Sequence, residues 1–238
     1  MPMKRAICFL LCCLCAILMI AGCESPEQKR KRLEHEARVA QYRADKMAMY
    51  AAENEQYADY EVDVAFLGDS LTDGYDLQRY YPQLLVSNRG IGGDTSLDLE
   101  GRLETSLYAL KPKVAVMLIG GNDPGTMLDN YESILRGFRD NVPDTRIILL
   151  SMTCMSGDWG VHNEEARRND RQIQTLAEGY GYRFVDVYYP MQDPQTGELR
   201  PEYTVDGGHL TELGYDVLTV LIAPVIEEQL ALWHQEHP

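Results

Sequence analysis

From residue 62 onward the chain repeats one pattern: a short run rich in Val, Ile and Leu, then a longer stretch with helical spacing. The short runs fall at 62–67, 84–87, 114–119, 147–152 and 184–187. Near-continuous apolar runs of this length suit strands covered on both faces. The stretches at 95–110, 127–141 and 163–180 are long enough for crossover helices, and 211–233 closes the chain as an amphipathic helix. Five strands alternating with helices predict an α/β fold in which a five-stranded parallel sheet lies between helical layers. In such sheets the working residues gather beyond the carboxyl ends of the strands.

The 238 residues, 45% of them apolar, suffice for one compact domain with a sizeable core. A formal charge of −15 argues against nucleic-acid partners, whose readers carry a basic face. Residues 1–22 read as a targeting segment. Lys4 and Arg5 form a basic start, and an uninterrupted apolar stretch follows over 6–20. It is short for a spanning helix, which needs about 20 residues, but suits a signal peptide. It ends in Ile20-Ala21-Gly22-Cys23, which resembles the lipobox of bacterial lipoproteins. That resemblance implies cleavage before Cys23 and lipidation of its sulfur and amine, and two or more acyl chains hold a protein stably on a membrane. The alternatives are an ordinary small-residue cleavage site or an uncleaved anchor. Glu24 rather than Asp after the Cys permits outer-membrane sorting in a Gram-negative host.

Cleavage leaves 37 acidic and 20 basic side chains, a charge of −17, and Cys154 as the one cysteine besides Cys23. No intramolecular disulfide is then expected, and Cys154 reads as a small core residue. Residues 23–60, with Lys29-Arg30-Lys31-Arg32 and a mixed-charge continuation, read as a polar helical linker ahead of a domain at 61–238. Its basic cluster either meets anionic head groups, at about 1 kcal/mol per residue, or is simply solvated.

Four motifs follow strands or precede the last helix. Gly68-Asp69-Ser70-Leu71-Thr72 sets a serine directly after the first strand. It is not a Gly-x-Ser-x-Gly elbow, because position 72 is Thr. Nor is it a calcium loop, since Leu71 and Tyr80 stand where ligands are needed. Asn88-Arg89-Gly90-Ile91-Gly92-Gly93-Asp94-Thr95 follows the second strand. Thr95 occupies the last place of a dinucleotide fingerprint that needs Gly, and no Walker-type Gly-Lys-Ser/Thr occurs. What remains is a loop with N–H groups for an anion, or a plain turn with Asp94 or Thr95 as helix N-cap. Gly120-Gly121-Asn122-Asp123 offers a side-chain amide as a second donor, and is also ordinary turn chemistry. Asp206-Gly207-Gly208-His209 spaces a carboxylate so that it can bend back onto an imidazole, leaving the other ring nitrogen for Ser70. The other histidines lie in the linker, in the tail or at a helix start.

Taken in this order, the four segments resemble the blocks of SGNH (GDSL-type) hydrolases, from about residue 62 to 232. The resemblance implies a flavodoxin-like three-layer α/β/α fold, with Ser70 as nucleophile, His209 as general base and then acid, and Asp206 orienting it. It also implies three oxyanion donors: the N–H of Ser70, the N–H of Gly93, and the side chain of Asn122. Gly93 is preferred to Gly92 because it precedes Asp94-Thr95, as in the family's Gly-Asp-Thr pattern. No metal or other cofactor is implied. The expected function is a serine esterase on short-chain, first of all acetyl, esters of carbohydrates at a bacterial membrane surface. Lysophospholipid or thioester hydrolysis is the alternative, and a non-catalytic binding protein on this scaffold is a further one. Residues 51–238 carry 32 acidic and 13 basic side chains, which disfavours a strongly anionic polymer as substrate. Trp159 and Tyr75 are candidates to line an opening, against the ordinary alternative that both are buried.

Overall fold

The computed structural model describes residues 25–238, so the lipobox reading at Cys23 lies outside the described residues. Helix α1 runs Pro26–Asn54. The body then follows as β1 (Val64–Gly68), α2 (Ser70–Asp73), α3 (Leu77–Tyr80), β2 (Val86–Gly90), α4 (Ser96–Glu100) and β3 (Val114–Leu118). It continues with α5 (Leu128–Asn141), β4 (Arg146–Leu150), α6 (Asn163–Tyr180), β5 (Arg183–Val185), α7 (Tyr188–Met191) and α8 (Glu212–Glu236). The five strands form one parallel sheet in the order β2-β1-β3-β4-β5. This is the predicted α/β architecture.

Every residue of β1 and β3 is buried, as strands covered on both faces must be. The closing helix α8 lays Leu218 and Ile222 near Phe66, Val116 and Leu150. On α5 the buried Tyr131, Ile134, Leu135 and Phe138 recur at helical spacing.

Three expectations are corrected. The predicted helix at 95–110 is broken into α4 and a π-type turn over Glu104–Tyr108. Between them Arg102 turns inward, donating from Nε to Asp94 Oδ2 (2.6 Å), from Nη1 to Arg89 O (2.9 Å) and from Nη2 to Gly68 O (2.9 Å). The second strand begins at Val86 rather than 84 and runs through Asn88-Arg89-Gly90. A fully buried arginine in an edge strand needs partners, and Arg89 has them: Ser87 Oγ at 2.6 Å, Tyr50 O at 3.2 Å and Glu53 at 3.3 Å.

Those partners also move the domain boundary. The chain divides after Asp45, not after residue 60, and Lys46–Pro238 forms one compact unit. Tyr50 is wholly buried and donates its hydroxyl to Gly90 O at 2.6 Å. Residues 26–45 form part of the other unit, a stretch of exposed helix carrying i,i+4 ion pairs such as Lys31–Glu27 and Arg32–Glu36. Each such pair contributes only a few tenths of a kcal/mol.

Candidate active site

The strand register assembles the site. Gly68, Gly90 and Leu118 are level across β2, β1 and β3, so the three loops that follow emerge side by side. Gly68 and Gly90 are required there. A Cβ on Gly68 would stand 2.2 Å from Leu118 O, and one on Gly90 2.2 Å from the Asp73 nitrogen.

Ser70 opens the short helix α2 immediately after β1, capped by Asp69, whose Oδ1 accepts the Leu71 N–H at 3.0 Å. Asp69 is buried, and that burial pushes its carboxyl up to about 6. The Ser70 N–H makes no hydrogen bond with the described residues, as befits the first turn of a helix.

The fourth motif folds back onto this serine from a pinched loop. Thr204 and Leu210 form an isolated antiparallel bridge, and Thr204 Oγ1 accepts the Gly207 N–H at 2.8 Å. Within the loop Asp206 Oδ1 accepts the N–H groups of Gly208 and His209 at 3.0 and 2.8 Å. Its Oδ2 lies 2.7 Å from His209 Nδ1, and His209 Nε2 lies 3.1 Å from Ser70 Oγ. These contacts, the imidazole first and the His209 N–H next, hold the Asp206 carboxyl down to about 2. A carboxylate on Nδ1 fixes the tautomer whose bare Nε2 faces the hydroxyl, an arrangement able to withdraw the serine proton.

The loop is clasped from the β4 side. Gly207 has φ +94, and a Cβ on it would meet Ser156 O at 2.3 Å. Ser156 N–H in turn donates to Gly207 O at 2.9 Å. The Trp159 ring lies against Gly208 and edge-on to His209.

The second and third motifs complete the ring. Thr95, not Asp94, is the N-cap of α4, in a capping box with Asp98. Asn122 Nδ2 donates to Asp94 O at 2.9 Å, which leaves its second amide hydrogen for another acceptor. Asp123 Oδ2 accepts both the N–H and the hydroxyl of Ser96, at 3.0 and 2.6 Å, tying the two loops together. Gly92 donates its N–H to Asp73 Oδ2 at 3.1 Å. Gly93, at φ +83, makes no hydrogen bond with the described residues. Of the two glycines, only Gly93 therefore keeps an uncommitted N–H.

A cavity of about 50 Å³ opens between Ser70, His209 and Asn122. Leu71, Leu118, Ile119, Met152, Met155 and Trp159 give it mostly apolar walls. Trp159 thus lines the opening, as expected. Tyr75 does not: it is buried against Phe66, Tyr81 and Tyr215. Arg102, Asp73 and the methionines were not singled out in the sequence. Buried arginines and cavity walls carry no local signature, whereas Asp73 has one in its place three residues after Ser70. Among the described residues no cluster of His, Cys, Asp or Glu is arranged to hold a metal ion. Cys154 is buried away from the cavity lining, and burial pushes its thiol up to about 12.

Residues 66–217 match the family model for GDSL-like lipases and acylhydrolases. An acetylxylan esterase of Geobacillus stearothermophilus is 30% identical over 165 residues, which cover 51% of this chain and 74% of that enzyme. A Streptococcus pneumonia structure with a provisional platelet-activating-factor name superposes with TM-score 0.74 at 27% identity, covering 85% of this chain and 100% of its own. A GDSL-like lipase of Bacteroides thetaiotaomicron gives TM-score 0.68 at 26% identity, covering 76% and 97%.

Proposed function

Because the chain belongs to the GDSL-like lipase and acylhydrolase family and is a carboxylic ester hydrolase, we propose that Ser70 is its nucleophile and that it removes short acyl groups, acetyl first, from carbohydrates. The observation that carries the mechanism is the contact chain from Asp206 through His209 to Ser70, at 2.7 and 3.1 Å. His209 Nε2 takes the hydroxyl proton as Ser70 Oγ attacks the ester carbonyl. The negative oxygen that forms is met by the N–H groups of Ser70 and Gly93 and by the second amide hydrogen of Asn122. One such donor lowers the barrier by about 3–4 kcal/mol. His209 then gives its proton to the departing alcohol, and a water, activated by the same imidazole, releases the acyl group from Ser70.

Three observations support a short acyl group on a neutral carrier. A cavity of about 50 Å³ has room for roughly three to five water-sized groups, enough for acetyl or propionyl. The acetylxylan esterase is a relative at 30% identity. The strong negative charge repels anionic polymers. The apolar lining of the cavity favours lipid acyl groups as the second reading. Rates on acetylated xylose, on p-nitrophenyl acetate and on a p-nitrophenyl ester of a long fatty acid separate the two, with Ser70→Ala as control. A preference for acetyl esters is expected, and a preference for the long ester would overturn the carbohydrate reading.

Lipidation at Cys23 belongs to the same proposal and rests on the basic start at Lys4 and Arg5, the apolar stretch over 6–20 and the Ile20-Ala21-Gly22-Cys23 that ends it. The intact mass of chain recovered from bacterial membranes checks it: a species starting at Cys23 with added acyl mass is expected, and an unmodified cysteine would sink it.

A further inference from the structure

Helix α1 begins 40 residues before the family match at residue 66, yet its last turns reach the loop beside Ser70. Lys46 Nζ lies 2.5 Å from Asp73 Oδ1, and Asp73 Oδ2 accepts the Gly92 N–H at 3.1 Å. Farther along the helix, Tyr50 donates to Gly90 O and Asn54 Nδ2 to Thr105 O, at 2.6 and 2.8 Å. The Lys46 and Asp73 side chains are only 20% and 17% exposed, so their attraction is less screened than that of a surface pair.

Gly92 sits against the nucleophile. A Cβ built on it would lie 3.9 Å from Ser70 Cβ and 3.4 Å from Asp73 Oδ2. Asp73 itself ends the helix that Ser70 begins. One carboxylate therefore joins the cationic end of Lys46 to the N–H of Gly92, the residue before Gly93, whose own N–H is left uncommitted.

We propose that Lys46 is a positioning residue for the oxyanion loop: by pairing with Asp73 it fixes the Gly92 peptide and so aims the Gly93 N–H at the oxygen that becomes negative. This rests on Ser70 as nucleophile and Gly93 as donor. The ion pair differs in kind from the ties made by Tyr50 and Asn54. Those two grip Gly90 and Thr105 and hold the helix down, whereas Lys46 acts on the carboxylate that holds the loop. Loss of Lys46 leaves both grips in place and takes its charge away from Asp73, the carboxylate that holds the Gly92 N–H. A donor that acts on charge developing in the transition state contributes to kcat rather than to KM.

The test measures kcat and KM on p-nitrophenyl acetate, together with the melting temperature, for the full chain and its Lys46→Met, Lys46→Arg and Ser70→Ala variants. Arg30→Met, which alters an exposed pair with Glu34 in the same helix, serves as control and keeps wild-type rates. Lys46→Met is expected to lower kcat about 10-fold or more, because small displacements of catalytic groups have effects of that order. KM and melting temperature stay near wild type, and Lys46→Arg restores most of kcat. A Lys46→Met kcat within about twofold of wild type, too small for a misplaced donor, overturns the proposal. So does a joint loss of melting temperature and kcat that Lys46→Arg does not restore. Activity surviving Ser70→Ala overturns the reading of the site and this inference with it. A dead Ser70→Ala beside a wild-type-like Lys46→Met overturns this inference alone.

Discussion

At the residue scale the site is short-range chemistry imposed by a few backbone choices. Asp206 performs two tasks with two oxygens: one caps the N–H groups of Gly208 and His209, the other faces the imidazole. Asp206→Asn keeps an acceptor for the backbone but offers an amide where a carboxylate fixed the ring, which favours the wrong tautomer. A fall in kcat of roughly 10²–10⁴-fold is expected; an unchanged rate would remove Asp206 from the proposed triad. Ser70, Asp206, His209 and Asn122 stand out in the sequence as candidates because each lies in a Gly-containing segment at a predicted turn, with the order of the segments adding what each lacks alone. The choice of Gly93 over Gly92 as candidate donor comes from the family pattern alone, and the structure adds that the Gly92 N–H is committed to Asp73. Lys46 and Asp73 were not legible together, because 27 residues separate the pair.

At the scale of elements, continuous apolar runs located five strands to within a few residues, since strands buried on both faces admit little else. Helices were harder to bound where a buried charge intervened. The stretch at 95–110 has helical composition, but Arg102 leaves the helix to satisfy Asp94 and two strand-end carbonyls. Helix α6 shows the converse, a buried acid kept inside a regular helix. Asp170 Oδ1 accepts the Met152 N–H at 2.8 Å while Oδ2 is buried with no hydrogen-bond partner among the described residues. Burial pushes its carboxyl up to about 7 from an ordinary 3.8. A raised carboxyl is protonated in both states at low pH, and from about pH 4 to pH 7 the unfolded chain ionises while the folded one does not. Stability tied to this group is therefore present at low pH and lost as pH rises through that window. Asp170→Asn keeps the bond to Met152 and cannot ionise. Its melting temperature should match wild type near pH 4 and exceed it at pH 8, by roughly 8–16 °C for a domain of this size. An equal difference at both pH values would show that the carboxyl keeps its ordinary pKa.

At the scale of the whole molecule, one parallel sheet brings residues from 70 to 209 around a single opening. The strand order places that opening where loops from β1, β2 and β3 leave the sheet level with one another. The composition turns from polar to globular at residue 60, because the helix before it is polar throughout. The compact unit instead begins at Lys46, since one buried tyrosine and a few hydrogen bonds change no running average of composition. The central claim is that the hydroxyl of Ser70 is an activated nucleophile. Intact-mass and peptide mapping of the full chain after treatment with a fluorophosphonate tests it most directly. One adduct per chain, mapped to Ser70 and absent from Ser70→Ala, is expected; an unlabelled wild-type chain, or a label that persists in Ser70→Ala, would contradict it.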